Sequence, residues 1–109
     1  MRWRVATIGL VGLMTAVLYL HHHSIEVREN QLRATLWDLR TTLDEYMFDE
    51  QKAPQTVQDL VQQRYLRGVP VDPMTGSNST WRIVGEGGNV HVRSGSTKSG
   101  LNEKRYSDW

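Results

Sequence analysis

No proline or glycine occurs between Leu13 and Ala53, so nothing there removes a helical N–H or loosens the backbone. The stretch predicts one continuous helix from about Val5 to about Glu50, roughly 70 Å long at ~1.5 Å per residue. The rest of a 109-residue chain has to be arranged round that rod.

The two halves of the rod differ in kind. Val5 to Leu20 (VATIGLVGLMTAVLYL) is sixteen residues without a charge. As a helix it measures about 24 Å, a little short of a ~30 Å hydrocarbon core. Trp3 at one end and Tyr19 with His21 to His23 at the other extend it through the interfacial zones. A cleaved secretory signal would need small residues at its cut, and Leu18-Tyr-Leu-His21 supplies none. Residues 1–23 are therefore expected to be a single-pass transmembrane anchor in membrane lipid. Arg2 and Arg4 precede the run, which predicts a cytoplasmic N-terminus and a periplasmic remainder. Gly9, Gly12 and Ala16 are small enough to let a neighbouring helix approach closely.

Residues 24–50 read as an amphipathic stem. Leu32, Leu36, Leu39, Leu43 and Tyr46 follow steps of four, three, four and three, which puts them on one stripe behind Ile25. Glu26, Arg28, Glu29, Arg33, Asp38, Arg40, Asp44 and Glu45 are expected on the other faces. Asp44, Glu45, Asp49 and Glu50 have no nucleophile or histidine beside them, so they read as a solvated helical face.

Residues 51–109 read as a small head. Pro54 breaks the rod, Thr56 caps a short second helix with Asp59 completing a capping box, and Gly68 is expected to end it. Val69 to Asn78 is a loop with turns at Asp72-Pro73 and Gly76. Thr80–Val84 and Asn89–Val92 alternate around Gly85-Glu-Gly-Gly88 and predict a β-hairpin. Trp81 and Ile83 are expected on one face, Val90 with Val92 on another. Arg93 to Trp109 is a loop or tail with apolar residues only at Leu101, Tyr106 and Trp109. With no cysteine to staple it, a segment of this size and polarity has too small a core of its own. The stem stripe supplies the missing wall. The expected fold is α+β, with a long N-terminal helix packed against a short helix and a small antiparallel hairpin.

This arrangement and several stretches resemble the type IV pilin and type II secretion pseudopilin superfamily, most of all its major pseudopilin G branch. The stretches are Leu32-Arg-x-x-Leu36-x-x-Leu39-Arg-x-x-Leu43-Asp-x-Tyr46 and Ala53-Pro54-Gln-x-Val-x-Asp59-Leu60-Val61. Tyr65-Leu66-Arg-x-Val69-Pro70-Val-Asp72-Pro73-Met-Thr75-Gly76 and Trp81 follow, then Val92-Arg-Ser94-Gly95-Ser96 and Tyr106-Ser-Asp108-Trp109. The likeness covers about residues 25 to 109. It does not extend to the family's leader and early Glu, since no acid precedes Glu26. Two expectations stay open there: an unprocessed, membrane-anchored relative, or a start placed elsewhere.

The resemblance implies a structural, non-catalytic subunit in the bacterial inner membrane. It would pack through its apolar helix with other pilin-like subunits into a filament and work with inner-membrane secretion machinery. The alternative is a non-polymerising, membrane-anchored periplasmic module that docks a partner protein. The resemblance also implies a calcium-binding C-terminal loop, for which Ser94, Ser96, Asn102, Glu103 and Asp108 carry the oxygens; the other reading is a solvated tail that Tyr106 and Trp109 tack onto the head. A net charge of +1 carries no basic surplus for phosphates, so no nucleic-acid partner is expected.

Overall fold

The structure is a computed structural model that describes the backbone of residues 2–109 and the side chains from Gly9 onward. One helix, α1, spans Arg2–Glu50; a second, α2, spans Val57–Gln62. A two-stranded antiparallel sheet follows, β1 (Arg82–Glu86) with β2 (Asn89–Arg93), and a single 3₁₀ turn covers Tyr106–Asp108. The molecule is α+β and elongated, 74 × 29 × 18 Å.

The long helix survives its own threonines because their hydroxyls bond carbonyls one turn back: Thr35 to Gln31 at 2.8 Å, Thr41 to Trp37 at 2.9 Å and Thr42 to Asp38 at 2.9 Å. Gln51 stops it by taking φ +55, while its N–H still reaches the Met47 carbonyl at 3.0 Å. Pro54 follows, buried.

The head seats itself along the second half of α1 alone. Leu32, Leu36, Leu39, Leu43 and Tyr46 are buried, together with Val57 and Leu60 of α2, Val92 of β2 and Tyr106. Tyr46 meets Tyr65 edge to face, centroids 5.2 Å apart. Placing each large apolar side chain in this seam contributes about 2 kcal/mol gross, which is how so few residues hold a fold.

Local chemistry sets the smaller elements. Asp59 Oδ2 reaches back to the N–H groups of Gln55 at 2.9 Å and Thr56 at 3.3 Å, fixing the start of α2. That helix ends at Gln62, six residues before Gly68. The difference has a local cause: Arg64 takes φ +67, and the N–H groups of Tyr65 and Leu66 both turn back to the Leu60 carbonyl, at 2.8 and 3.0 Å. In the hairpin β1 runs on to Glu86, and Gly87 and Gly88, both at positive φ, make the two-residue turn that matches strand twist. The register sets Ile83 opposite Val92 and Gly85 opposite Val90. Directly opposed residues share a sheet face, so Ile83 lies with the two valines and not across from them.

Among the described residues no helix is long and apolar enough to cross a membrane. This corrects the transmembrane anchor expected for residues 1–23, and with it the single-pass inner-membrane placement with a periplasmic head. From Gly9 the uncharged run reaches only Leu20, twelve residues, before His21-His-His23 and Ser24, against the ~20 apolar residues a span needs. The flanks at Arg2, Trp3 and Arg4 lie outside the described side chains.

In urea titrations of the full chain, Leu39→Ala is expected to cost about 2–5 kcal/mol by emptying a buried site. Trp37→Ala, two residues away but 74 % exposed, should change stability by less than about 0.5 kcal/mol. Equal losses from the two would contradict the packing described.

Candidate functional site

Two features of the surface call for a functional account: the bare first half of α1 and the closing segment bound to the second half.

Every side chain from Gly9 to Ser24 is exposed. Leu10, Val11, Leu13, Met14, Val17, Leu18, Tyr19 and Leu20 lie between 59 % and 67 % exposed, all round the helix. Gly9 and Gly12 have open space where a Cβ would stand, and Ala16 is exposed as well. Within this stretch the Thr15 hydroxyl donates to the Val11 carbonyl at 3.0 Å, and near its end His23 stacks on Tyr19 and His22 pairs with Glu26 at 3.0 Å.

The closing segment, residues 93–109, is held by two buried carboxylates, one on α1 and one in the loop between α2 and β1. Glu29, expected among the outer-face charges, is only 4 % exposed. Its Oε1 accepts the Leu101 N–H at 2.8 Å and the Tyr106 hydroxyl at 2.9 Å. Asp72, wholly buried, is the second. Its Oδ1 takes the Met74 N–H at 2.8 Å; its Oδ2 takes the Ser94 hydroxyl at 2.5 Å and the Gly95 N–H at 3.2 Å. The Asp72 backbone carbonyl also accepts from Thr75 and Gly76 at 3.2 and 2.8 Å, so one residue fixes both the turn and the strand exit. Dipoles of N–H and O–H groups replace the water a carboxylate loses on burial.

Two close approaches complete the seam. A Cβ at Gly95 would collide with the Thr80 carbonyl, and one at Gly100 would meet the Trp109 ring at 2.8 Å and Glu29 Oε1 at 3.1 Å. Trp109 packs edge to face on Tyr106 at 5.1 Å and lies under the Arg33 guanidinium at 4.5 Å. Its carbonyl oxygen accepts from Arg40 and, at 2.6 Å, from Arg93. Burial and the neighbouring Arg93 charge both lower the Arg40 pKa.

The oxygens proposed for calcium are deployed otherwise. Ser94 Oγ gives its proton to Asp72 and accepts the Ser96 N–H at 3.1 Å; Ser96 Oγ accepts from Lys98 N at 3.3 Å. Asn102 Oδ1 caps the Lys104 N–H at 3.1 Å, while Glu103 and Asp108 are exposed. Calcium needs six or more oxygens converging on a point, with carboxylates among them. Among the described residues no three His, Asp or Glu side chains gather so as to hold a metal ion. The donor set present therefore does not fit calcium.

Titration of the tyrosines follows from the same contacts. Lost water and the bonds to Asp49 and Glu50 push the Tyr65 pKa up to about 12. Tyr106 is raised by burial first, then by its bond to Glu29, against a smaller opposing pull from Arg28.

The sequence reading missed Glu29 and Asp72 as anchors. Asp72-Pro73-x-x-Gly76 showed a turn but not that its carboxylate is shared with residues 94 and 95, and nothing local to Glu29 signalled Tyr106. No protein-family model, no curated protein and no solved structure matches the chain.

Replacing Asp72 with Ala should cost about 3 kcal/mol or more, since it strands three donors, and Asp72→Asn should cost less because one acceptor oxygen remains. Chemical denaturation checks the order; an Ala variant as stable as the parent would refute the anchoring role. Tyr106→Phe should be destabilised at neutral pH. A raised phenol pKa gives stability that is present below the unfolded value near pH 10 and lost as pH climbs through the folded value. Melting curves should therefore show the gap between parent and Tyr106→Phe narrowing above about pH 10; a constant gap would contradict the Tyr106–Glu29 bond.

Proposed function

We propose that the chain is a structural, non-catalytic subunit of the pilin-like kind: a pseudopilin of a type II secretion or type IV pilus-like system. It packs through the apolar first half of α1 with copies of itself or with other pilin-like subunits. One observation carries this reading. An eleven-residue stretch, Leu10 to Leu20, presents apolar side chains in every direction, and the head covers none of them. Contiguous exposed apolar surface on this scale marks an association site. Gly9, Gly12 and Ala16 give neighbouring helices room to approach. The α+β head on the other half supports the same reading, because it leaves the association half free while fixing the stem rigidly behind it. The likeness of residues 25 to 109 to the major pseudopilins supplies the name of the class. Secretion machinery would be the working partner.

The chain has no cysteine, so Val17→Cys introduces a single reporter. Oxidative or bis-maleimide crosslinking of that full-length variant should give homodimers, and the same treatment of a double variant with Leu13→Cys should give a ladder. Leu13→Glu with Val17→Glu should abolish self-association while shifting head stability by less than about 0.5 kcal/mol, because both side chains are exposed and the head covers neither. A chain that stays monomeric through residues 10–20, or yields one heteromeric band only, would overturn the proposal.

A further inference from the structure

A cleft of about 280 Å³ opens between the stem and the closing segment, walled by Trp37 and Trp109 and edged by Arg33, Arg40 and Lys104. No acidic residue lines it. The only ion pair among the described residues, His22 with Glu26, lies elsewhere. Arg33 and Lys104 face the cleft with no carboxylate side chain in the lining, while Arg40 donates to the main-chain oxygen of Trp109. The Arg33 guanidinium lies over the Trp109 ring at 4.5 Å, and its Nη1 donates to Asn30 Oδ1 at 3.1 Å, a neutral acceptor that leaves the charge unpaired. Arg40 donates from Nη2 to the main-chain oxygens of Val92, at 3.2 Å, and Trp109, while its Nε is buried with no partner. An orphaned buried donor and like charges brought together ask for an anion with an apolar neighbour to fill the space between two indoles.

The same chain carries such a group. Glu45 and Asp49 stand one turn apart on α1, both exposed, with Phe48 beside them at 80 % exposure. This acid–aromatic–acid edge is centred about ten residues beyond the cleft, roughly 15 Å along the axis. At 3.6 residues per turn, Arg33 to Glu45 and Arg40 to Asp49 are about 120° and 180° apart round the helix. One copy therefore cannot satisfy itself. A parallel second copy, shifted along the axis, can.

We infer that the cleft receives the Glu45–Phe48–Asp49 edge of a second copy of this chain. Phe48 inserts between Trp37 and Trp109, and the carboxylates pair with Arg33, Arg40 and Lys104. The inference rests on the reading of the chain as a polymerising subunit, and gives that polymer a stagger. The two patches differ and face different ways, so the contact is heterologous and propagates into an open array without closing as a pair.

The test uses the full chain carrying Lys52→Cys and Asn102→Cys, one reporter beside each patch, joined by a short bis-maleimide. A ladder extending beyond dimer is expected, with its yield falling as salt rises. Reversing the edge alone (Glu45→Lys with Asp49→Lys) or the cleft alone (Arg33→Glu with Lys104→Glu) should each lower the yield about tenfold, because like charges then face each other. Combining the two reversals should restore it. Glu45→Lys alone alters an exposed position without a bond to the head, so its partial loss of yield remains informative if the double edge variant, which also breaks the Tyr65–Asp49 bond, or the cleft variant fails to fold. A product limited to dimers, an edge reversal without effect, or failure of the combined variant to recover would overturn the inference. Crosslinking through Val17→Cys, run alongside, separates the outcomes. If it persists while the Lys52–Asn102 ladder is absent, this contact falls and the polymer reading stands; if both vanish, both fall.

Discussion

The burial of one stripe of α1 is the contact on which the rest of the molecule depends. Leu32, Leu36, Leu39, Leu43 and Tyr46 are the long side of a core whose other side is assembled from fragments: two residues of a six-residue helix, one strand valine and Tyr106. None of these fragments could order itself. A two-stranded hairpin and a helix of that length are each marginal in water. Ordering them against a rod that is already helical removes much of the entropic cost, because the rod presents its side chains in fixed positions.

Buried polar groups decide how the fragments attach. Apolar contact alone would let the closing segment slide along the stem. Glu29 prevents this on the stem, and Asp72 fixes the start of the segment to the loop before β1, since each carboxylate is satisfied only when particular N–H and O–H groups arrive. The Trp109 carbonyl between Arg40 and Arg93 adds a third fixed point. The chain thus closes its last loop with its own carboxylates and arginines, where the resemblance implied a calcium ion.

The legible part of this fold was whatever repeats or breaks a period. The four–three spacing of the leucines, the absence of Gly and Pro before Ala53, Pro54 itself and the glycines of the hairpin are all local signals. What could not be read depends on partners far along the chain: Glu29 is 77 positions from Tyr106, and Arg40 is 69 from Trp109. By spacing alone Glu29 is one more charge on a helix. Only the arrival of Leu101 and Tyr106 turns it inward. Gly68 misled for the opposite reason, because Arg64 adopts the left-handed conformation that glycine usually supplies. Hydrophobicity misled at the N-terminus. Among the described residues no helix is long and apolar enough to cross a membrane, and what they present is an uncovered surface, which the proposed assembly would use.

Native-state hydrogen exchange tests the dependence of head on stem most directly. If the stripe is the head's missing wall, the amides of β2 and Tyr106 should exchange through the same opening, with the same free energy, as those of Leu36 to Leu43. Persistent protection of the hairpin under conditions where the stem amides already exchange freely would mean the head holds itself together, and would contradict the account.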